Sequence, residues 1–239
     1  MGEYTMLMMK SITVPDRWSM FLKQLIKEIY KLGVDSLWIV IIISIFIGTV
    51  IAIQISLNIS SPLIPKFTIG YTTREIILLE FSSSIMCLIL AGKVGSNIAS
   101  ELGTMRVTQQ IDALDIMGIN SASYLILPKI LGLLTLMPAL VVFANGMGFV
   151  GAYATAYIGH ILPPDDLTLG LQHSFKSWFV WMSMIKSEVF AFIIASVSSF
   201  YGYSVTGGSV EVGKASTSAV VSSSILILFS DVFLTNLLS

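Results

Sequence analysis

The sequence predicts an all-α integral membrane protein, and three observations predict it. Of its 239 residues 55% are hydrophobic and only 11% are charged, whereas soluble domains carry about 25% charged residues. Uncharged apolar runs recur along the whole chain, beginning with Leu37 to Leu57. At about 1.5 Å per residue such a run is long enough to cross a hydrocarbon core of about 30 Å. The few charges fall mostly between the runs, which leaves a lipid-facing, uncharged body.

Each element follows in order. Asp16 to Leu32 places Trp18, Phe21, Leu22, Leu25, Ile26 and Ile29 on one helical face, with Lys23, Lys27, Glu28 and Lys31 on the other. That is an N-terminal interfacial amphipathic helix, suited to the membrane surface. Leu37 to Leu57 is the first transmembrane helix. Ile76 to Gly92, interrupted by Glu80, is the second, and Ile130 to Ile158, with Pro138 and several Gly that can kink it, is the third. Trp178 to Tyr201, with Lys186 and Glu188 near its start, is the fourth. Ala215 to Leu238, with Asp231 in its second half, is the fifth.

Several function classes are excluded on chemistry. The balance of 13 basic against 14 acidic residues has no basic excess for nucleic acid. A single cysteine, Cys87, sits in an apolar stretch, so neither an internal disulfide nor a cysteine metal site can form. No catalytic constellation is present, and no metal-ligand cluster. The N-terminus lacks the pattern of a cleaved signal peptide. Gly92-Lys93 is followed by Val94, so no G-x-x-x-x-G-K-[ST] phosphate loop exists and no nucleotide site can be built from this chain.

Basic residues near helix ends predict orientation. With a cytoplasmic N-terminus, Lys10, Arg17, Lys23, Lys27, Lys31, Lys93, Arg106, Lys129 and Lys214 lie inside, while Lys66, Arg74 and Lys176 lie outside. Five crossings then put the C-terminus on the opposite, periplasmic side.

The stretch between the second and third helices, Ala91 to Pro128, is polar. Val107, Ile111 and Leu114 nevertheless recur at helical spacing with Glu101, Arg106, Gln110, Asp112 and Asp115 between them. This pattern predicts a cytoplasmic helix that docks onto something. The segment AGKVGSNIASELGTMRVTQQIDALDIMGIN resembles the signature of the MlaE/YrbE permease family, the membrane subunit of Mce-associated ABC transporters for phospholipids and related lipids. Phe46, Gly48 and Gln54 in FIGTVIAIQ are similar to the family's first helix, and Tyr201 to Ser223 with Asp231, Leu234 and Thr235 to its last loop and helix. Gln109 stands where the family often has Glu, Ser121 where Pro is common, and Lys93 where Arg is frequent.

The resemblance implies a permease domain over residues 34–239, preceded by an N-terminal cytoplasmic segment over residues 1–33 that carries the interfacial helix. It implies a homodimer around a lipid-sized cavity in a bacterial inner membrane. It also implies a coupling helix that sits in a cleft of a separate ABC ATPase subunit, made of Glu101, Leu102, Gly103, Thr104, Met105, Arg106, Thr108, Gln109, Gln110, Asp112, Leu114 and Asp115. ATP and Mg would be bound by that partner and no cofactor by this chain. An Mce-domain lipid-binding protein is the partner expected on the outer side, and membrane lipids are the expected cargo, so that the complex maintains envelope lipid asymmetry.

A charge near the bilayer centre costs at least about 2.5–3.5 kcal/mol, which makes intramembrane ionisable groups functional candidates. Glu80 aligns with a family position that faces the lipid cavity, and nothing in the local sequence neutralises it. Lys214 resembles a basic family position able to attract lipid phosphate. Lys186 and Glu188, two residues apart, lie on different faces and are expected to snorkel near the outer interface. Asp231 is expected to cap or pair within the fifth helix. Two rival readings use the same residues: an ion-coupled secondary transporter working through Glu80 and Asp231, which usually shows internal repeats, and a non-transporting membrane scaffold for envelope assembly.

Overall fold

The computed structural model describes residues 2–12, 18–59, 64–159 and 163–238, and among these every regular element is a helix. Five helices are long and apolar enough to cross a membrane: Met20–Asn58, Phe67–Val107, Ser121–Tyr157, Ser177–Tyr203 and Ser209–Leu238. The all-α membrane architecture and the count of five are therefore as the sequence predicts. The helices overrun the predicted boundaries. Phe67–Val107 has 41 residues, about 60 Å of helix and twice the hydrocarbon thickness.

Two of the five contain π-helical turns, and in those two the turns explain the boundary differences. The first joins α2 (Trp18–Ile29) to α3 (Asp35–Asn58) through Tyr30–Val34, so the amphipathic helix and the first span are one continuous element. The second joins α4 (Phe67–Ile76), α5 (Met86–Leu90) and α6 (Ser96–Val107) through Ile77–Ile85 and Ala91–Gly95. A π turn inserts residues into the helical phase. The apolar period read from the sequence slips there, and a continuous helix reads as a span followed by a loop. The rest of the chain is α7 (Gln110–Ile116), α8 (Ser121–Tyr157), α9 (Pro164–Gln172), α10 (Ser177–Tyr203) and α11 (Ser209–Leu238), preceded at the start by α1 (Gly2–Ser11). Pro138 is accommodated inside α8.

The chain forms two compact units. One comprises Met1–Ser36, Cys87–Met137 and Glu188–Ser239. In it α6 packs on α11, and α1 is fastened to α10 by a hydrogen bond from the Tyr4 hydroxyl to Ser196 Oγ at 2.9 Å and an edge contact of Tyr4 with Phe200 at 5.6 Å. The predicted apolar face of α2 is split: Phe21 is buried, whereas Trp18, Leu22 and Ile26, four residues apart, form an exposed row. That row suits a lipid surface. Glu28, expected on the solvated face, is buried instead. Asp16 and Arg17 lie outside the described residues.

The other unit comprises Leu37–Met86 and Pro138–Ser187. Here α3 and α8 cross at small residues. A Cβ on Gly48 would strike the carbonyl of Gly148, a Cβ on Gly151 would strike that of Ile45, and Thr49 Oγ1 donates to Gly151 O at 3.0 Å. Glycine lets the two backbones touch. The second contact of this unit is α4 on α9. Arg74, expected in an outer loop, is buried in α4, where its Nη1 donates to Leu171 O at 2.9 Å and His173 O at 2.8 Å. A cation thus satisfies the C-terminal carbonyls of α9. Helix α9, which the sequence reading did not predict, starts with Pro164 in its first turn and Asp165 and Asp166 beside it.

Candidate coupling elbow and buried ion pairs

The predicted coupling helix from Glu101 to Asp115 is two helices meeting at an elbow. Glu101, Leu102, Gly103, Thr104, Met105 and Arg106 lie in α6, Thr108 and Gln109 form the break, and Gln110, Asp112, Leu114 and Asp115 lie in α7. The break is made by Gln109, whose φ of 59° is left-handed. Leu102, Gly103 and Ile111 point inward, while Thr104, Thr108, Gln109, Gln110, Asp112 and Asp115 are exposed. Arg106 bridges the break: its Nη1 lies 2.6 Å from Asp112 Oδ1, and its guanidinium stands over the Tyr203 ring at 5.8 Å.

The end of the signature, DIMGIN, builds the exit of the elbow. Gly118 takes φ 75°, its N–H donates to Asp115 O at 3.0 Å, and the Ile119 N–H donates to Leu114 O at 3.1 Å. This is a Schellman closure of α7, and it needs a residue without a Cβ penalty at Gly118. Asn120 then caps α8, accepting from the Ser123 N–H at 3.3 Å while its own amide donates to Lys10 O at 3.1 Å. Ser121 occupies the first turn of α8, where proline is favoured. Here its N–H reaches Asp115 Oδ1 at 3.4 Å and its hydroxyl lies 2.8 Å from the Tyr203 hydroxyl, neither of which a proline could make. Ile116 and Met117, at the tip between α7 and α8, are 87% and 65% exposed.

Beneath the elbow lies a charge cluster that the sequence reading missed. Lys129, expected in a loop, is buried in α8, with Nζ 2.8 Å from Glu28 Oε1 and 2.5 Å from Glu101 Oε2. The other oxygen of Glu101 is 3.0 Å from Lys31 Nζ. Two ammonium groups thus face two carboxylates, joining α2, its π turn, α6 and α8. Pairing is what makes burial of these charges tolerable. The signal in the sequence was Glu28, a carboxylate on a helix whose other charged residues, Lys23 and Lys27, are both lysines.

Among the intramembrane groups, Glu80 has a partner that local sequence could not reveal. Lys186, wholly buried on α10 rather than snorkelling, lies 3.7 Å from Glu80 Oε1 and donates to Leu79 O at 3.3 Å. Leu79 O also accepts from Ser83 Oγ at 2.9 Å, so the π turn over Ile77–Ile85 presents a carbonyl to side chains. Glu80 itself keeps about half of its side chain open, at 49%. Lys214 is highly exposed and lies 3.5 Å from Glu211 one turn earlier on α11. Glu80 and Lys214 belong to different units. Glu188 and Asp231 are half-buried.

Five apolar helices, buried ion pairs between helices and an elbow with an apolar tip are the features of a multi-pass membrane protein. The comparisons name its class. The family model described as Permease MlaE matches residues 25–237. A probable ABC transporter permease protein of Rickettsia bellii is 34% identical over 99% of this chain and 91% of its own length. A probable ABC transporter permease protein of Synechocystis is 30% identical over 87% of this chain and 79% of its own length, and the chloroplastic protein TRIGALACTOSYLDIACYLGLYCEROL 1 of Arabidopsis thaliana is 30% identical over 88% and 60%. The chain belongs to the MlaE permease family. It is a transmembrane permease subunit, and α1 precedes the stretch that the family model matches.

Proposed function

We propose that this chain is the membrane subunit of an ATP-driven phospholipid transporter, working as a homodimer in a bacterial inner membrane. Its α6–α7 elbow docks in a cleft of a separate ABC ATPase, which binds ATP and Mg, and an Mce-domain protein receives or delivers lipid on the periplasmic side. The exposed residues of the elbow between Thr104 and Asp115 form the ATPase contact, with Glu101 behind them, while Glu80 and Lys214 are the lipid-facing charges. The N-terminus is cytoplasmic and the C-terminus periplasmic, and the cycle serves envelope lipid asymmetry.

The single observation that carries this reading is the construction of the elbow. A bare connection between two spans needs no left-handed Gln109, no Arg106–Asp112 bridge and no Schellman closure at Gly118. Together they hold Ile116 and Met117 out from the chain, where an apolar tip gains only if a partner covers it. Polar groups around that tip, from Thr104 to Asp115, suit the rim of a protein interface. In the dimer, closure of two ATPase subunits would move two elbows together and alternately expose the cavity.

The test is co-purification of the ATPase subunit in detergent with wild type and with Arg106→Glu. Arg106→Glu places two like charges across the break and loosens α7. Association should fall by about tenfold or more, the scale set by losing one buried anchor of an interface, with membrane insertion unchanged. Undiminished association would remove the elbow from the ATPase contact.

A further inference from the structure

We propose that Glu101 is a positioning residue of the transport cycle, a breakable link that passes movement of α6 to Lys129 on α8 and to Lys31 beside α2. The inference rests on the docking role of the elbow proposed above and adds to it the path by which docking is felt in the helices.

The asymmetry of the cluster carries the argument. Lys129 is almost wholly buried and has two carboxylate partners, Glu28 at 2.8 Å and Glu101 at 2.5 Å. A static bridge needs one. Glu28 is as buried as the lysine, with 2% of its side chain open, and its Oε2 has no hydrogen-bond partner. Burying a second carboxylate with an unpaired oxygen is unfavourable. It becomes useful if Lys129 has to stay compensated while Glu101 is away. Glu101 and Lys31 are the members that can leave, since 30% and 35% of their side chains are open to solvent. Glu101 is also on the same unbroken helix as Arg106, so a push on the elbow displaces it directly. Engaged, it ties α6 to α8 and to the π turn that follows α2. Disengaged, it releases α6 without stranding a buried cation, which gives the cluster two discrete arrangements rather than a continuous deformation.

The experiment uses the permease–ATPase complex in proteoliposomes of phosphatidylethanolamine and phosphatidylglycerol, reading fluorescent phospholipid moved per ATP hydrolysed. Glu101→Gln should assemble and hydrolyse ATP, with lipid moved per ATP lowered by about tenfold, within the range usual for coupling between sites. Glu28→Gln should melt at lower temperature yet keep the ratio within about twofold of wild type, because it does not touch α6. A wild-type ratio in Glu101→Gln, or equal loss in both variants, overturns the inference and leaves the cluster a static support. Should Glu101→Gln fail to assemble, Lys31→Met, which removes only the outer arm, must lower the ratio, and an unchanged ratio there overturns the inference as well. Failure of the wild-type chain to hold an ATPase at all would instead overturn the docking role itself.

Discussion

Lys129→Met should be among the most destabilising single substitutions in this chain, and its cost follows from burial. The change keeps the stem of the side chain and deletes the ammonium that serves Glu28 and Glu101. Glu101 retains Lys31 at 3.0 Å and enough solvent to tolerate the loss. Glu28 retains only the Gln24 amide at 3.3 Å, and its second oxygen is already without a partner. A buried charge left uncompensated costs about 3–5 kcal/mol, roughly two to four powers of ten in the folded-to-unfolded ratio. Removing Glu28 as well deletes the stranded charge. The double variant Glu28→Met/Lys129→Met should therefore lie within about 1–2 kcal/mol of wild type, since apolar replacement of a buried pair is often near neutral. The assay is reversible unfolding in mixed micelles for wild type, both single variants and the double, closed as a double-mutant cycle. A Lys129→Met cost below about 1 kcal/mol, or a double variant as unstable as the sum of the singles, would refute a compensated buried cluster.

Further outcomes follow from the elbow and the spans. Gly118→Val forces a β-branched residue to φ 75° and should cost about 1–2 kcal/mol, read as a lower melting temperature with weaker ATPase retention. Ala113→Pro deletes the N–H that reaches Gln109 O at 3.0 Å and should break α7 at a cost of about 3 kcal/mol, so ATPase association is lost while insertion survives. A reporter fused near Met1 should be cytoplasmic and one fused after Ser239, outside the described residues, periplasmic; both ends on one side would end the five-span topology.

The sequence made the spans legible because length and hydropathy alone decide them. It made the elbow legible only in part. Val107, Ile111 and Leu114 do mark helical faces, but they straddle a break at Gln109, a residue with no evident preference for a left-handed backbone. Proline at Gln110, which a single helix from Glu101 to Asp115 would not tolerate, instead falls on the first residue of α7, where no intrahelical bond is lost. Gly118 and Asn120, which the sequence reading did not single out, close α7 and open α8. What could not be read was partnership at a distance. Lys129 meets Glu28 across 101 positions and Lys186 meets Leu79 across 107, and neither pair shares a local pattern. Glu80 accordingly looked unneutralised, and Lys186 looked like an interfacial lysine.

The most direct test of the central claim is reconstitution of this chain with the ATPase that co-purifies with it, in vesicles carrying a fluorescent phospholipid, with lipid movement followed on addition of Mg and ATP. The account predicts movement that requires hydrolysable ATP and disappears when the ATPase is omitted or Ala113→Pro is substituted. Lipid or ion movement driven by a proton or sodium gradient with no ATPase present would contradict it and return the chain to the secondary-transporter reading.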